Sequence, residues 1–221
     1  MVFEHIKHEL PALLQETAED GTRCYATPDG KRYPSVTTVL SDFNKDSLDA
    51  WRKRVGETEA NRISKAATTR GTAVHLAIET FLNNESINKM ELMPNAKAIF
   101  HRMKGELLKL NNIHCLESRL FSHDLKLAGT VDCIAEYDGK LSVIDFKTST
   151  RLKKKADIAN YFMQGAAYSI MFEEMTGIKT DQVVILIGVE STEFPQVMKV
   201  ETKDFHQGLR DQISKYYGVF A

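Results

Sequence analysis

The sequence predicts an α+β (α/β) fold, in which a central mixed β-sheet of about five strands is flanked by helices. Three observations lead to this prediction. Residues 46–110 have mainly helical patterning, so the N-terminal region is expected to be largely helical. Residues 114–148 contain three strand-like segments, and Asp138-Gly139 is typical of a two-residue hairpin turn between the last two. Residues 183–189 are uniformly apolar, as in a strand that is buried on both faces.

The N-terminal part of the chain is expected to contain a hairpin and several helices. Residues 3–16 alternate apolar and polar side chains in a loosely helical way. Residues 25–33 place Pro28-Asp29-Gly30 between aromatic flanks, which predicts a β-hairpin. Ser35 can cap a short helix that follows. Further helices are expected at residues 46–54, at residues 57–82 with a break or bend near Arg70-Gly71, and at residues 94–110.

The rest of the chain is expected to form the sheet and its covering helices. A helix over residues 157–175 should end at Gly177, because glycine is the usual residue after a helix C-terminus. A closing helix is expected at residues 205–217. The strands are predicted at residues 114–121, 127–137, 140–148, 183–189 and 196–201.

The composition is that of an ordinary globular protein. Among 221 residues, Lys and Arg total 29 and Asp and Glu total 30, which gives a net charge of −1. Hydrophobic residues make up 43% and charged residues 27%. These values exclude a disordered chain, collagen and a disulfide scaffold. The near-zero charge argues against a protein wrapped in nucleic acid, but it is compatible with a local basic groove.

The cysteines and the apolar segments indicate the compartment. Cys24, Cys115 and Cys133 are few and widely spaced, which is typical of a reducing environment, and they match no structural zinc pattern. No apolar segment approaches the roughly 18 residues that span a bilayer. The N-terminus mixes acidic and basic residues, unlike a secretory signal or a transit peptide. We therefore expect a cytoplasmic protein with no membrane partner.

Residues 128–150 contain the pattern that indicates chemistry. Asp132 lies near the end of one predicted strand, and Asp145 and Lys147 share one face of the next strand. The hairpin between these strands can bring Asp132 beside Asp145. Paired carboxylates suit Mg²⁺ or Mn²⁺, and a neighbouring lysine can hold a phosphate or an attacking water. The pattern favours metal-assisted hydrolysis of a phosphodiester.

A solvent-facing position is the usual explanation for an isolated Asp-x-Lys on a strand. The neighbours of Asp145 and Lys147 argue against it here. This strand is largely apolar, so its charged side chains are expected to be buried and to need partners.

At these residues the sequence resembles a known family. Gly129-Thr-Val-Asp132, twelve further residues and then Asp145-Phe-Lys147 resemble the core of the PD-(D/E)XK nuclease superfamily. Its RecB-like exonuclease branch adds a histidine on an upstream helix, here His75, and a Gln-x-x-x-Tyr pattern, here Gln164 to Tyr168. Val131 stands where the superfamily name has proline. The chain lacks the cysteine cluster of the iron–sulfur members.

The N-terminal half extends this resemblance. Residues 33–43, the helix around Trp51 and the segment Arg70-Gly71-Thr72 are similar to the mitochondrial genome maintenance exonucleases and their phage and bacterial relatives. The resemblance covers residues 33–175. It implies a restriction-endonuclease-like core and one nuclease domain over residues 1–221, with a mainly helical region at 1–112 and a sheet-containing catalytic core at 113–221. A bacterial cytoplasm or a phage-infected cell would suit such a protein.

The resemblance also implies roles for individual residues. His75, Asp132, Asp145 and the Phe146 carbonyl would bind Mg²⁺ or Mn²⁺, and Lys147 would act with Asp132 and Asp145 in catalysis. DNA, most simply single-stranded, would be the partner. The residues expected to contact it are Gln164, Tyr168, Arg151 and Lys153.

The activity implied is metal-dependent DNA exonucleolysis that leaves 5′-phosphates. A structure-specific endonuclease on the same core, or a DNA-binding accessory protein for recombination or replication without cutting activity, are the alternatives.

Other residues near this pattern are weaker candidates for the functional site. Glu79, four residues after His75, could support the histidine but is more simply a solvated side chain. Glu117, on the preceding strand, could also point toward the site. Basic residues cluster at positions 52–54, 62–70 and 151–155, and they could guide a phosphate chain. The aromatic residues Tyr25, Tyr33, Phe43 and Trp51 could stack on bases, although core packing is the more common role.

Overall fold

The structure is a computed structural model that describes residues 2–18 and 21–218. It contains six α-helices within these ranges: α1 (Val36–Val39), α2 (Lys45–Val55), α3 (Glu57–Leu82), α4 (Pro94–Leu107), α5 (Ala159–Thr176) and α6 (His206–Tyr217). The described residues also form eight strands: β1 (Leu14–Thr17), β2 (Arg23–Ala26), β3 (Arg32–Pro34), β4 (Leu110–Ser122), β5 (Leu127–Tyr137), β6 (Lys140–Ser149), β7 (Gln182–Val189) and β8 (Gln196–Glu201).

The larger sheet has five strands in the order β4-β5-β6-β7-β8. β6 and β7 are parallel, and the other neighbours are antiparallel, so the sheet is mixed. This confirms the predicted fold class. β6 occupies the centre of the sheet, where both of its edges are paired. Any charged side chain in its middle is therefore surrounded by protein.

Helices cover both faces of this sheet. Helices α3 and α4 pack on one face, where Ile144 and Phe146 of β6 belong to the buried cluster. Helices α1, α5 and α6 pack on the other face, against side chains such as Val143 of β6. Because side chains alternate along a strand, Asp145 lies on the α5 side and Phe146 on the α3 side.

Two turn predictions are confirmed by the backbone. Asp138 and Gly139 have φ angles of 51° and 77°, as a tight hairpin turn with two positive φ values requires. Gly177 has φ of 73° and ends α5. Ser35 also caps α1 as expected, since its side chain accepts a hydrogen bond from the backbone N–H of Thr38.

The predicted helix at residues 3–16 is wrong. This segment is extended and ends in β1, which pairs with β2 in a separate three-stranded sheet. Its backbone also pairs with β4, through the bonds Ile113 N to Glu4 O and Ile6 N to Ile113 O, both 2.8 Å. Burial of Phe3 and Leu13 favours this docking over the local helical pattern.

Of the break or bend predicted near Arg70-Gly71, the break is wrong, because α3 runs without interruption from Glu57 to Leu82. One glycine costs a helix only about 1 kcal/mol. Burial of Val74, Ala77 and Ile78 in the next two turns offsets that cost. Arg70 is held by a 3.1 Å ion pair with Glu190.

Within the described residues, no helix combines the length and the apolar character that crossing a bilayer requires.

The seam between α5 and β7 leaves no room for a larger side chain at Gly165. A Cβ there would lie 2.4 Å from Cγ1 of Val183. Val183 is buried and β-branched, so it cannot easily move. We expect Gly165→Ala to lower the free energy of unfolding by about 1–3 kcal/mol, measured by urea denaturation.

The matched control for this prediction is Gly105→Ala in α4, where a Cβ meets no atom within 4 Å. At that exposed helical position, alanine should stabilise the protein by about 0.5–1 kcal/mol. Equal effects of the two substitutions would contradict the packing described for Gly165.

Candidate active site

Strands β5 and β6 bring the carboxylates of the sequence pattern together. Cys133 lies opposite Ile144 in the antiparallel pairing. The backbone N–H of Phe146 donates a 2.8 Å hydrogen bond to Oδ2 of Asp132, whose side chain is only 12% exposed. Asp132 is therefore held beside the Asp145-Phe146-Lys147 segment, as the hairpin predicted.

Asp145 and Lys147 form an ion pair on the α5 side of β6. Nζ of Lys147 lies 2.5 Å from Oδ1 of Asp145, and the Asp145 side chain is only 3% exposed. The same Nζ lies 5.0 Å from the ring centroid of Tyr161 on α5. Asp145 is buried as predicted, whereas Lys147 is only partly buried, with 22% of its side chain exposed, and each is the other's partner.

Asp145 still has one oxygen without a partner. Its Oδ2 is buried and has no hydrogen-bond partner among the described residues. Burial raises the pKa of Asp145, and the nearby charge of Lys147 opposes that shift only in part. For Lys147, burial lowers the pKa, but Asp145 and Asp132 outweigh it and raise the pKa above its usual value. The α5 side of β6 thus carries the ammonium group of Lys147 and a carboxylate oxygen of Asp145 that suits a cation.

His75 lies on α3 and reaches the Asp145-Phe146-Lys147 segment from that face of the sheet. Its Nε2 donates to the carbonyl oxygen of Phe146 over 2.7 Å. Its Nδ1 lies 3.8 Å from both Glu117 and Asp132. Burial lowers the pKa of His75, but the carboxylates of Glu117 and Asp132 outweigh burial and raise it to about 9. The imidazole is therefore protonated at neutral pH when no cation is bound.

Glu117 joins the site from β4 through an unusual backbone conformation. Its φ is 46°, in the left-handed region that non-glycine residues seldom adopt. Such a conformation costs on the order of 1–3 kcal/mol and is most common at functional sites. No feature of the sequence indicates the positive φ of Glu117. From the sequence alone, Glu117 is therefore only a weaker candidate for the site.

His75, Glu117 and Asp132 form a cluster that could hold a metal ion. Each offers one ligand atom, and these atoms all lie within 4.8 Å of one another. Asp145 lies beside this cluster rather than within it, paired with Lys147. Imidazole and carboxylate ligands fit Mg²⁺ or Mn²⁺, and the unpartnered oxygen of Asp145 fits the same need. The residues present thus suit the cation that the sequence pattern implied.

Members of the cluster line two spaces. A cleft of about 530 Å³ lies between α3 and β6, and its walls include His75, Glu79, Glu117 and Lys147. A smaller space of about 200 Å³ is also lined by Glu117, and Asp132 is part of its wall. Glu117 therefore borders both spaces.

Gln164 and Tyr168 of α5 line the smaller space, as their four-residue spacing requires. Tyr168 is only 3% exposed, and burial raises the pKa of its hydroxyl. A Cβ at Gly129 would lie 2.7 Å from the Tyr168 hydroxyl oxygen. The glycine of Gly-x-x-Asp thus makes room for the tyrosine of Gln-x-x-x-Tyr, so the two motifs are coupled by packing.

Arg151 and Lys153 lie on the segment that follows β6. Ser149 donates its hydroxyl to the Arg151 carbonyl, and the Lys153 backbone exchanges hydrogen bonds of 2.9 and 2.7 Å with the Gln196 side chain. Neither residue is part of the two clefts described above. Their contact with DNA stays a prediction.

Several of the basic residues proposed to guide DNA already have acidic partners. Arg52 pairs with Glu57 and Arg62 with Glu59, at distances of 2.5 and 2.7 Å. Tyr25 and Tyr33 are buried in the N-terminal sheet, at 1% and 7% exposure, and serve the core.

Comparison with known proteins identifies the family of the chain. The model of the PD-(D/E)XK nuclease superfamily matches residues 96–217, which include Asp132, Asp145, Lys147, Gln164 and Tyr168. The chain belongs to the PD-(D/E)XK nuclease superfamily.

Curated relatives extend the match. Mitochondrial genome maintenance exonuclease 1 of Mus musculus and that of Homo sapiens are each 32% identical to the chain over 129 residues, 54% of this chain. The Xenopus tropicalis protein is 30% identical over 128 residues. The matched segment spans 38% of the mouse and human proteins and 37% of the frog protein. The similarity to these exonucleases that the sequence indicated is confirmed.

The position of Glu117 leads to a prediction about metal binding. We expect Glu117→Gln to weaken Mn²⁺ binding at least about tenfold, because it removes one charge from the cluster. Isothermal titration calorimetry would measure this. Glu79→Gln is the matched control, since Glu79 lines the same cleft outside the cluster. Equal affinity of the Glu117 variant and the unaltered protein would contradict a ligand role.

The protonated state of His75 leads to a second prediction. A cation that binds the imidazole must first displace its proton, whose pKa is about 9. The affinity for Mn²⁺ should therefore rise by about tenfold per unit between about pH 6 and pH 8. The binding enthalpy should also vary with the ionisation enthalpy of the buffer, since a proton is released. An affinity that does not change with pH would count against His75 as a ligand.

Proposed function

We propose that this nuclease is a metal-dependent DNA exonuclease that acts on single-stranded ends and leaves 5′-phosphates. The observation that supports it most is the buried Asp145–Lys147 pair, with its unpartnered carboxylate oxygen beside the His75, Glu117 and Asp132 cluster. The name of the curated relatives, which are exonucleases, supports the same assignment.

In this proposal the divalent cation is Mg²⁺ or Mn²⁺. Its ligands would be His75, Glu117, Asp132 and Asp145, together with the carbonyl oxygen of Phe146. When bound, the cation supplies charge stabilisation at the phosphoryl oxygen and lowers the pKa of water. To act as a ligand, the His75 imidazolium would first release its proton from Nδ1 or Nε2.

Lys147 has a role that follows from its protonation state. Its raised pKa keeps the ammonium charged at neutral pH, so it donates protons in hydrogen bonds rather than accepting one. We propose that it orients the attacking water and stabilises negative charge on the phosphoryl oxygens. Gln164 and Tyr168, on the wall of the smaller space, would position the DNA backbone.

A nuclease assay tests the proposal. With Mg²⁺ or Mn²⁺, the unaltered protein should degrade end-labelled single-stranded DNA and leave a covalently closed single-stranded circle intact, because an exonuclease needs an end. Labels at either terminus also give the direction of digestion. Lys147→Ala should reduce kcat by about 100-fold or more, as for the loss of one charge-stabilising group.

Lys199→Ala is the matched control, because it removes the lysine of another Lys–Asp pair, the 2.8 Å pair with Asp138 at the surface. It should retain full activity. Cutting of the circle would instead favour the structure-specific endonuclease. Binding without any cleavage would favour the accessory role, and undiminished cleavage by Lys147→Ala would overturn the proposed chemistry.

A further inference from the structure

The N-terminal sheet is fixed against the strand that carries Asp132. Ser35 forms a bridge with Ala128 of β5, and the Tyr25 hydroxyl lies 3.3 Å from the Thr130 hydroxyl. Arg119 of β4 also donates a 2.7 Å hydrogen bond to the Leu13 carbonyl. Side chains of β2 and α1 are therefore held at defined positions relative to the cluster.

These side chains form part of the wall of the smaller space. The roughly 200 Å³ space that is lined by Asp132 and Glu117 is also lined by Arg23, Ser35 and Thr37. A guanidinium group and two residues with hydroxyl groups therefore border the same cavity as the carboxylates. None of the three residues belongs to the motifs that define the superfamily match.

Among the described residues, the exposed side chain of Arg23 donates to the Thr37 hydroxyl and has further N–H groups available. Its Nη2 donates to the Thr37 hydroxyl over 2.6 Å. Within residues 2–18 and 21–218 it has no carboxylate partner. A guanidinium group has five N–H donors in a planar fork, so several remain for a ligand. Arg32 on the neighbouring strand differs, because it is paired with Glu16 over 3.2 Å.

The Thr37 hydroxyl is a second polar group beside Arg23, and Ser35 holds it in place. The Ser35 hydroxyl caps α1 and is engaged there, because it accepts the Thr38 N–H and lies 2.7 Å from the Thr38 hydroxyl and 3.0 Å from the Thr37 hydroxyl. Arg23 and Thr37 line the same space, and a planar guanidinium group with an adjacent hydroxyl matches the oxygens of a phosphate better than those of a neutral base.

The wall at Arg23 and Thr37 also faces outward. The same two residues line an open groove of about 480 Å³, together with Thr38 and Ser41. Arg23 and Thr37 thus border both the inner space and the outer groove.

We propose that Arg23 and Thr37, with Thr37 positioned by Ser35, form a phosphate-binding subsite of this nuclease, which holds a DNA phosphate next to the one that is cleaved. The inference rests on the proposed function, because it assigns a place to the substrate of that site. The bound group is either an internal phosphodiester or a terminal phosphate. Both present the oxygens that this donor set recognises.

The first test measures binding without cleavage. A fluorescein-labelled oligothymidylate is titrated with protein in EDTA over a series of salt concentrations. Loss of one phosphate contact should reduce the slope of log K against log salt by about 0.7 for a single strand. We expect this change for Arg23→Gln, and no change for Arg32→Gln, which removes the same charge from the same sheet. An unchanged slope for Arg23→Gln overturns the subsite, whether or not the protein cleaves DNA.

The second test uses cleavage and identifies the phosphate. Oligonucleotides carry one neutral methylphosphonate linkage at successive positions, and a parallel set carries a 5′-hydroxyl or a 5′-phosphate. One modification should raise KM for the unaltered protein about tenfold and leave KM of Arg23→Gln unchanged, because that variant has already lost the contact. An effect of an internal linkage identifies a phosphodiester, and an effect of the 5′-phosphate identifies the terminal group. Effects of equal size in both proteins at every position overturn the subsite.

Arg23→Lys is a second variant, which keeps the subsite testable if Arg23→Gln does not fold. It keeps the charge but loses the planar fork. It should therefore keep the salt slope and still raise KM. If the unaltered protein cleaves nothing, the proposed function fails, and the salt slopes alone still decide whether Arg23 contacts a phosphate.

Discussion

The burial of Asp145 in the central strand of the sheet, paired with the partly buried Lys147, is the constraint on which this site depends. Removing two charges from water is costly, and their attraction repays that cost only when their geometry is good and their remaining polar atoms are satisfied. The 2.5 Å ion pair satisfies one carboxylate oxygen, but Oδ2 has no partner among the described residues. A well-packed apolar pair would stabilise a sheet at least as well. The arrangement is therefore best explained by the chemistry it makes possible.

The elements around this pair each supply one part of the site at some cost to local stability. β5 supplies Asp132, which accepts the backbone N–H of Phe146. β4 supplies Glu117 through a left-handed backbone conformation, and α3 supplies His75, which is protonated against the preference of a buried imidazole. The same carboxylates that stabilise that proton would bind a cation in its place. The positive charge of the His75 imidazolium thus balances the negative charges of the Glu117 and Asp132 carboxylates, as a bound cation would.

Much of the fold and the centre of the site could be predicted, because their signals are local in the sequence. Alternation along β6 and the Asp138-Gly139 turn are enough to bring Asp132 and Asp145 together. Features that depend on tertiary contacts could not be predicted. Residues 3–16 have a helical pattern but pair with β4 instead, and the positive φ of Glu117 leaves no trace in the residue type. Opposite charges distant in sequence, such as Arg70 and Glu190, also neutralise part of the basic clusters.

The most direct test of the central claim is the position of a bound ion in crystals grown with Mn²⁺, located by its anomalous scattering. The account predicts one peak at coordination distance from His75, Asp132 and the unpartnered oxygen of Asp145, with Glu117 turned toward it. The absence of any peak at millimolar Mn²⁺, or a peak remote from Asp145, would contradict the account.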